Sequence, residues 1–99
     1  MLTSKQRAYL RSLSQQLDTI FQIGKGGISD EMCAQISNAL EARELIKLRV
    51  LENSGFTAVD AAGIISAKTS SEVVSCVGTR FVLYRQSQNE KKRKIELPR

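Results

Sequence analysis

A chain of 99 residues, 41% hydrophobic and 25% charged, makes one small domain outside the disordered and membrane-spanning classes, and none of its apolar runs approaches the roughly 20 residues of a spanning helix. Cys33 and Cys76 are its only cysteines and histidine is absent, which excludes the usual zinc spacings and a redox CxxC and leaves no side chain that titrates near neutrality without a strong shift. The net charge of +5 sits at the two ends of the chain: residues 1–29 carry +3, residues 30–85 carry −1 and residues 86–99 carry +3, a distribution suited to a polyanionic partner.

Thr3 and Gln6 have capping-box spacing, and Leu10, Leu13 and Leu17 recur on one stripe, so an amphipathic helix is predicted over residues 4–17 with Arg7 and Arg11 beside the stripe. Polar residues interrupt each apolar run near the N-terminus, so no signal-peptide segment is read and the expected location is cytoplasmic. A β-rich run from Thr19 to Ile23 then enters Gly24-Lys25-Gly26-Gly27. Ser29 is a good N-cap for a second helix over residues 30–44, with Asp30 and Glu31 in its first turn and Met32, Ile36 and Leu40 along one face. From Leu45 to Leu51 the chain alternates: Ile46, Leu48 and Val50 face one way and Lys47 and Arg49 the other, predicting a strand with one buried and one partly basic face.

Asn53-Ser54-Gly55 marks a loop, and a third helix is predicted at about residues 57–68. The β-rich runs Glu72 to Val77 and Arg80 to Arg85 flank Gly78-Thr79, a two-residue reversal that predicts an antiparallel hairpin. The order αβαβαββ predicts a single α/β (α+β) domain, a small four-stranded mixed sheet packed by helices, with parallel pairing across right-handed crossovers. Residues 1–86 would form this domain. Residues 87–99, basic and without apolar periodicity, are expected to be a flexible tail that orders on binding. Cys33 and Cys76 are expected as reduced core residues, and Tyr9 and Tyr84 as partly buried aromatics rather than a base-stacking platform.

The glycine cluster fits no nucleotide-binding fingerprint: the Walker A pattern is missing, and GxGxxG fails at Ser29. What remains is GxxG, Gly24 to Gly27, in which bare backbone can approach a sugar-phosphate chain and Lys25 adds a point charge. Arg7, Arg11, Lys47 and Arg49 are the basic residues that would flank it. A protein-interaction module and a small unrecognised enzyme are the alternative classes, although no catalytic constellation is visible and no catalytic residue is assigned.

Four blocks carry a resemblance: Lys5-Gln6-Arg7 with Leu10-Arg11; Gln22 through Ser29; Glu44 through Val50; and Val77 through Arg85. Together, over about residues 2–86, the chain resembles the chloroplast RNA splicing and ribosome maturation (CRM) family, in its stand-alone YhbY-like branch. The resemblance implies an RNA-binding domain, similar in fold to the C-terminal domain of translation initiation factor 3, acting in assembly of the large ribosomal subunit. It implies that Gly24, Lys25, Gly26 and Gly27 form the RNA-contacting loop and that neighbouring basic residues, Lys5, Arg7, Arg11, Lys47 and Arg49, complete the surface. Ribosomal RNA or a pre-ribosomal particle is the expected partner, with no cofactor, metal, small-molecule substrate or membrane. Ser70 stands where the family often has glycine, and Arg43-Glu44 where His-Glu is common.

Overall fold

Thr3 starts the first helix: its hydroxyl accepts from the Gln6 N–H at 3.1 Å while Gln6 Oε1 accepts from the Thr3 N–H at 3.0 Å, so two groups that the helix end would orphan satisfy each other. The computed structural model describes residues 2–98. Helix α1 (Ser4–Ser14) stops three residues before the predicted end. The Ser14 hydroxyl donates to the Arg11 carbonyl at 2.7 Å, and the next N–H groups reach back only three residues, which tightens the chain out of the α-helix. Of the predicted stripe, Leu10 alone is fully buried.

Strand β1 (Thr19–Ile23), helix α2 (Asp30–Arg43), strand β2 (Leu45–Val50), helix α3 (Ala58–Thr69) and strands β3 (Glu72–Val77) and β4 (Arg80–Tyr84) follow, with short 3-10 turns at Glu52–Ser54 and Glu90–Lys92. Ser29 and Thr57 cap α2 and α3, their hydroxyls accepting from the N–H groups of Met32 at 3.0 Å and Asp60 at 3.1 Å. Helix α3 ends at Ser70, which takes the left-handed φ of 55° that favours glycine.

The sheet order is β1-β2-β4-β3, with β1 and β2 parallel and β4 antiparallel to both its neighbours, which is the predicted mixed sheet with its terminal hairpin. The two crossovers move across the sheet in the same sense, so a shared hand places α2 and α3 on one face. There Ile46, Leu48 and Val50 join Ile23, Phe81 and Leu83 beneath Ile36, Leu40 and Ile65. On the other face Leu45, Val74, Val82 and Tyr84 meet Leu2 and Leu10, with half-buried Leu17, Ile95 and Leu97 beside them. Further along this second face, Lys47 and Arg49 are half-buried.

The segment expected to be an unpacked tail requires correction. Glu44, the C-cap of α2 with φ 67°, is fully buried. Its carboxylate accepts from the N–H groups of Ser87 at 2.8 Å, Lys94 at 2.6 Å and Ile95 at 3.0 Å. Glu41 accepts from the Ser87 hydroxyl and the Gln88 N–H, and the Gln6 amide donates to the Pro98 carbonyl at 3.0 Å. Residues 87–98 are therefore strapped beside α1, held by two carboxylates and by Gln6. Apart from the Ser87 hydroxyl, the segment's donors to these carboxylates are backbone N–H groups, which every non-proline residue offers, so its composition carries little sign of them.

Candidate nucleic-acid interface

Ile23, fully buried, fixes the end of β1, and its carbonyl accepts from the Leu51 N–H at 2.8 Å. The chain then turns over Gly24–Gly27, closed by the Gly27 N–H donating to the Gly24 carbonyl at 3.0 Å, with Lys25 and Gly26 exposed at the tip. Three glycines stand here for different reasons. Gly27 has φ +75°, which a side chain rarely adopts. A Cβ on Gly24 would meet Leu51 Cδ1 at 3.5 Å, an ordinary contact. Gly26 has no positive φ and open space around it, so nothing inside the fold demands glycine at that position.

The strand register brings cations to the same end of the sheet. Arg49 lies opposite Gln22 on β1 and opposite Arg80 on β4, and the Val50 N–H donates to the Thr79 carbonyl at 2.8 Å, so the glycine turn and the β3–β4 hairpin flank the end of β2. Lys47 lies two residues further in on the same face, and Arg11 is in the last turn of α1. Arg11, Lys47 and Arg80 line one hollow of about 260 Å³ between α1 and the sheet.

None of Arg11, Lys25, Lys47, Arg49 and Arg80 forms an ion pair with a described residue, and Arg49 Nε is buried without a hydrogen-bond partner. Three cations elsewhere are engaged: Lys68 with Asp30 at 3.2 Å, Arg85 with Glu41 at 3.9 Å and Arg93 with Glu90 at 3.9 Å. Helix α2 offers no anion hole after the turn, because Ser29 takes up one of its free N–H groups and Asp30 and Glu31 put negative charge in its first turn. An anion at the turn would meet the backbone of Gly24–Gly27 and Lys25 at its tip, with the Glu52 carboxylate lining the hollow beside Arg49 and Thr79.

The structure gathers Gly24, Lys25, Gly26, Gly27, Lys47 and Arg49 at or next to the loop end of the sheet, with Arg11 on the α1 side. Arg7, half-buried, lies one helical turn before Arg11 on the same flank. Lys5 is not brought to them: five positions before Leu10, it falls on the solvent side of α1, away from the buried face. Arg80 is the site residue that sequence reasoning missed. Its only sequence signal is the hairpin register, which sets the residue after Gly78-Thr79 opposite the last basic residue of β2.

The remaining reactive groups serve the fold. Cys33 and Cys76 are both free, Cys33 buried and Cys76 half-buried, and burial pushes the Cys76 thiol up. The Tyr84 hydroxyl is also pushed up, by burial first and then by the nearby Glu44 charge, against an opposing effect of Arg93. Tyr84 is 4% exposed and cannot offer its ring to a ligand, whereas Tyr9 is 39% exposed. Among the described residues no group of three or more acidic or cysteine side chains could hold a metal ion, and no helix is long and apolar enough to cross a membrane.

Fold and surface thus define a small mixed-sheet domain with a glycine turn and, among the described residues, cations without an ion-pair partner at one end of its sheet. The chain belongs to the CRS1/YhbY (CRM) domain family, whose model matches residues 2–85. It is 47% identical over 98 residues to Probable RNA-binding protein YqeI of Bacillus subtilis (strain 168), an alignment covering 99% of this chain and 100% of the relative. It is 34% identical over 98 residues to a protein of Haemophilus influenzae named RNA-binding protein, covering 99% of this chain and 96% of that one. Both curated relatives are named for RNA binding and neither for a catalysed reaction. Among solved structures, the solution structure of a hypothetical protein from Staphylococcus aureus superposes with a TM-score of 0.76 at 50% identity, covering 99% of this chain and 100% of the other.

Proposed function

We propose that the protein binds RNA without catalysis, holding the sugar-phosphate backbone of a single-stranded segment against the Gly24–Gly27 turn. The observation that carries this reading is the shared placement of a closed, exposed glycine turn and the unpaired Arg49 and Arg80 at one end of the sheet. The names of the two curated relatives support the ligand class. The bare backbone at Gly26 lets a phosphate approach closely, Lys25 adds charge at the tip, and Arg49 and Arg80 hold the following phosphates across the end of the sheet. Contacts to backbone rather than bases fit a surface with so little exposed aromatic area. Exposed Lys91 and Lys92 add nonspecific attraction from the C-terminal strap.

The RNA is ribosomal and the setting cytoplasmic assembly of the large subunit, a role that rests on family resemblance. Three to five contacted phosphates give a log affinity that falls with log salt at a slope of about −2 to −3.5. Lys25→Ala lowers that slope by about 0.7, and Gly26→Asp weakens binding on the order of tenfold, both with unchanged melting. A salt-independent affinity, or variants that melt early instead of binding weakly, would reject the reading. Cosedimentation with precursors of the large subunit, lost on ribonuclease treatment, tests the setting.

A further inference from the structure

The hollow beside α1 has features that backbone contact does not use. Its lining includes the apolar Val82, buried, and Val77, 74% exposed, together with the cations Arg11, Lys47 and Arg80. Ser75 and Gln15 also line it, and neither side chain has a hydrogen-bond partner among the described residues. No carboxylate lines it. Apolar side chains, polar side chains without described partners and three cations around one hollow match the flat face, polar edge and phosphate of a nucleotide. At about 260 Å³ the hollow lies below the roughly 300–1,000 Å³ of drug-sized sites, so it has room for one base, with sugar and phosphate outside it, and not for a stretch of chain.

We propose that the base of a single unstacked nucleotide of the bound RNA strand enters this hollow, over Val77 and Val82 and with its edge read by Gln15 and Ser75. The proposal rests on the RNA-binding reading above and adds a base-dependent subsite to it. Arg80 links the two, since it lines the hollow and also lies opposite Arg49 in the strand register. With no aromatic ring in the lining, the subsite depends on hydrogen bonds and apolar contact and adds a modest increment to the affinity of the strand.

The test compares two probes by fluorescence anisotropy: a single-stranded RNA dodecamer of mixed sequence, and a dodecamer of the same backbone carrying abasic riboses. The intact protein is expected to bind the base-bearing strand about tenfold more tightly. The double variant Gln15→Ala, Ser75→Ala changes no charge and breaks no hydrogen bond within the fold, and is expected to bring the ratio below threefold while leaving abasic affinity unchanged. Arg80→Gln is expected to weaken both probes together. Equal affinity of the intact protein for the two probes, or a ratio that survives the double variant, overturns the subsite and leaves RNA binding standing. Failure of the intact protein to bind either probe at low salt overturns both.

Discussion

The two ends of the sheet are finished differently. At the end where β2 begins, Glu44 is fully buried with its carboxylate oxygens occupied by three backbone N–H groups, Glu41 takes up Ser87 and Gln88, and Arg85 donates to Ser37 and the Thr69 carbonyl. At the end where β2 stops, Arg49 and Arg80 face each other across the ladder without a described carboxylate partner, and the glycine turn beside them leaves its tip bare. Buried polar groups are costly unless paired, so the first end must be complete for the chain to fold. Like charges side by side cost stability, and the second end keeps them. One end spends its polar groups on the fold, while the other leaves Arg49 and Arg80 without a described carboxylate partner.

The largest effect is expected at the closed end. Glu44→Gln turns an amide NH₂ toward N–H groups that now meet a carboxylate oxygen, and should cost about 2–3 kcal/mol in urea unfolding. RNA affinity measured well below melting should stay within about twofold. An unchanged midpoint would break the comparison from this side. Within the glycine turn, Gly27→Ala should cost about 1–2 kcal/mol because of its left-handed φ, whereas Gly26→Ala should shift thermal stability by less than about 0.5 kcal/mol. Equal penalties at the two positions would mean the turn is built for stability throughout.

Acid sharpens the contrast further. The Ser87 hydroxyl, then the Gln88 N–H, hold the Glu41 carboxyl below its ordinary 4.5, despite some desolvation. A carboxyl lowered on folding contributes stability that is present above that ordinary value and is lost as pH falls through the folded one. Melting should therefore decline on acidification below about pH 4.5, and Glu41→Gln should make that decline shallower. An identical acid limb in the variant would remove Glu41 from the strap. The smallest effect belongs to the helical face: Lys68 and Asp30 are 46% and 97% exposed, so Lys68→Ala should change stability by less than about 0.5 kcal/mol and leave RNA binding alone.

Much of the fold was legible because local chemistry and periodicity agreed. Ser29, the Thr3–Gln6 pair and the Gly78-Thr79 reversal each mark an element boundary through a hydrogen bond or a φ requirement that few residues satisfy. The end of α1 was not legible, since Leu13 and Leu17 continue the apolar spacing after the backbone has left the helix. The C-terminal strap was hidden for another reason. Its anchors are carboxylates forty or more residues away, and Glu44 reads in sequence as one more acidic residue near a helix end. Of the candidate interface, the glycine turn and the basic face of β2 could be read directly. Arg80 required the strand register, and Lys5 entered only through the family resemblance, while its exposed position on α1 lies away from the buried face.

The most direct test of the central claim is a ¹H–¹⁵N correlation titration of the full chain with a short single-stranded RNA. Amide shifts concentrated at Lys25–Gly27, Arg49 and Thr79–Arg80, with little change at Glu41–Leu45 and Ser87–Ile95, are the predicted result. Shifts concentrated at the Glu44 strap or on the exposed side of α3, with a silent glycine turn, would contradict it.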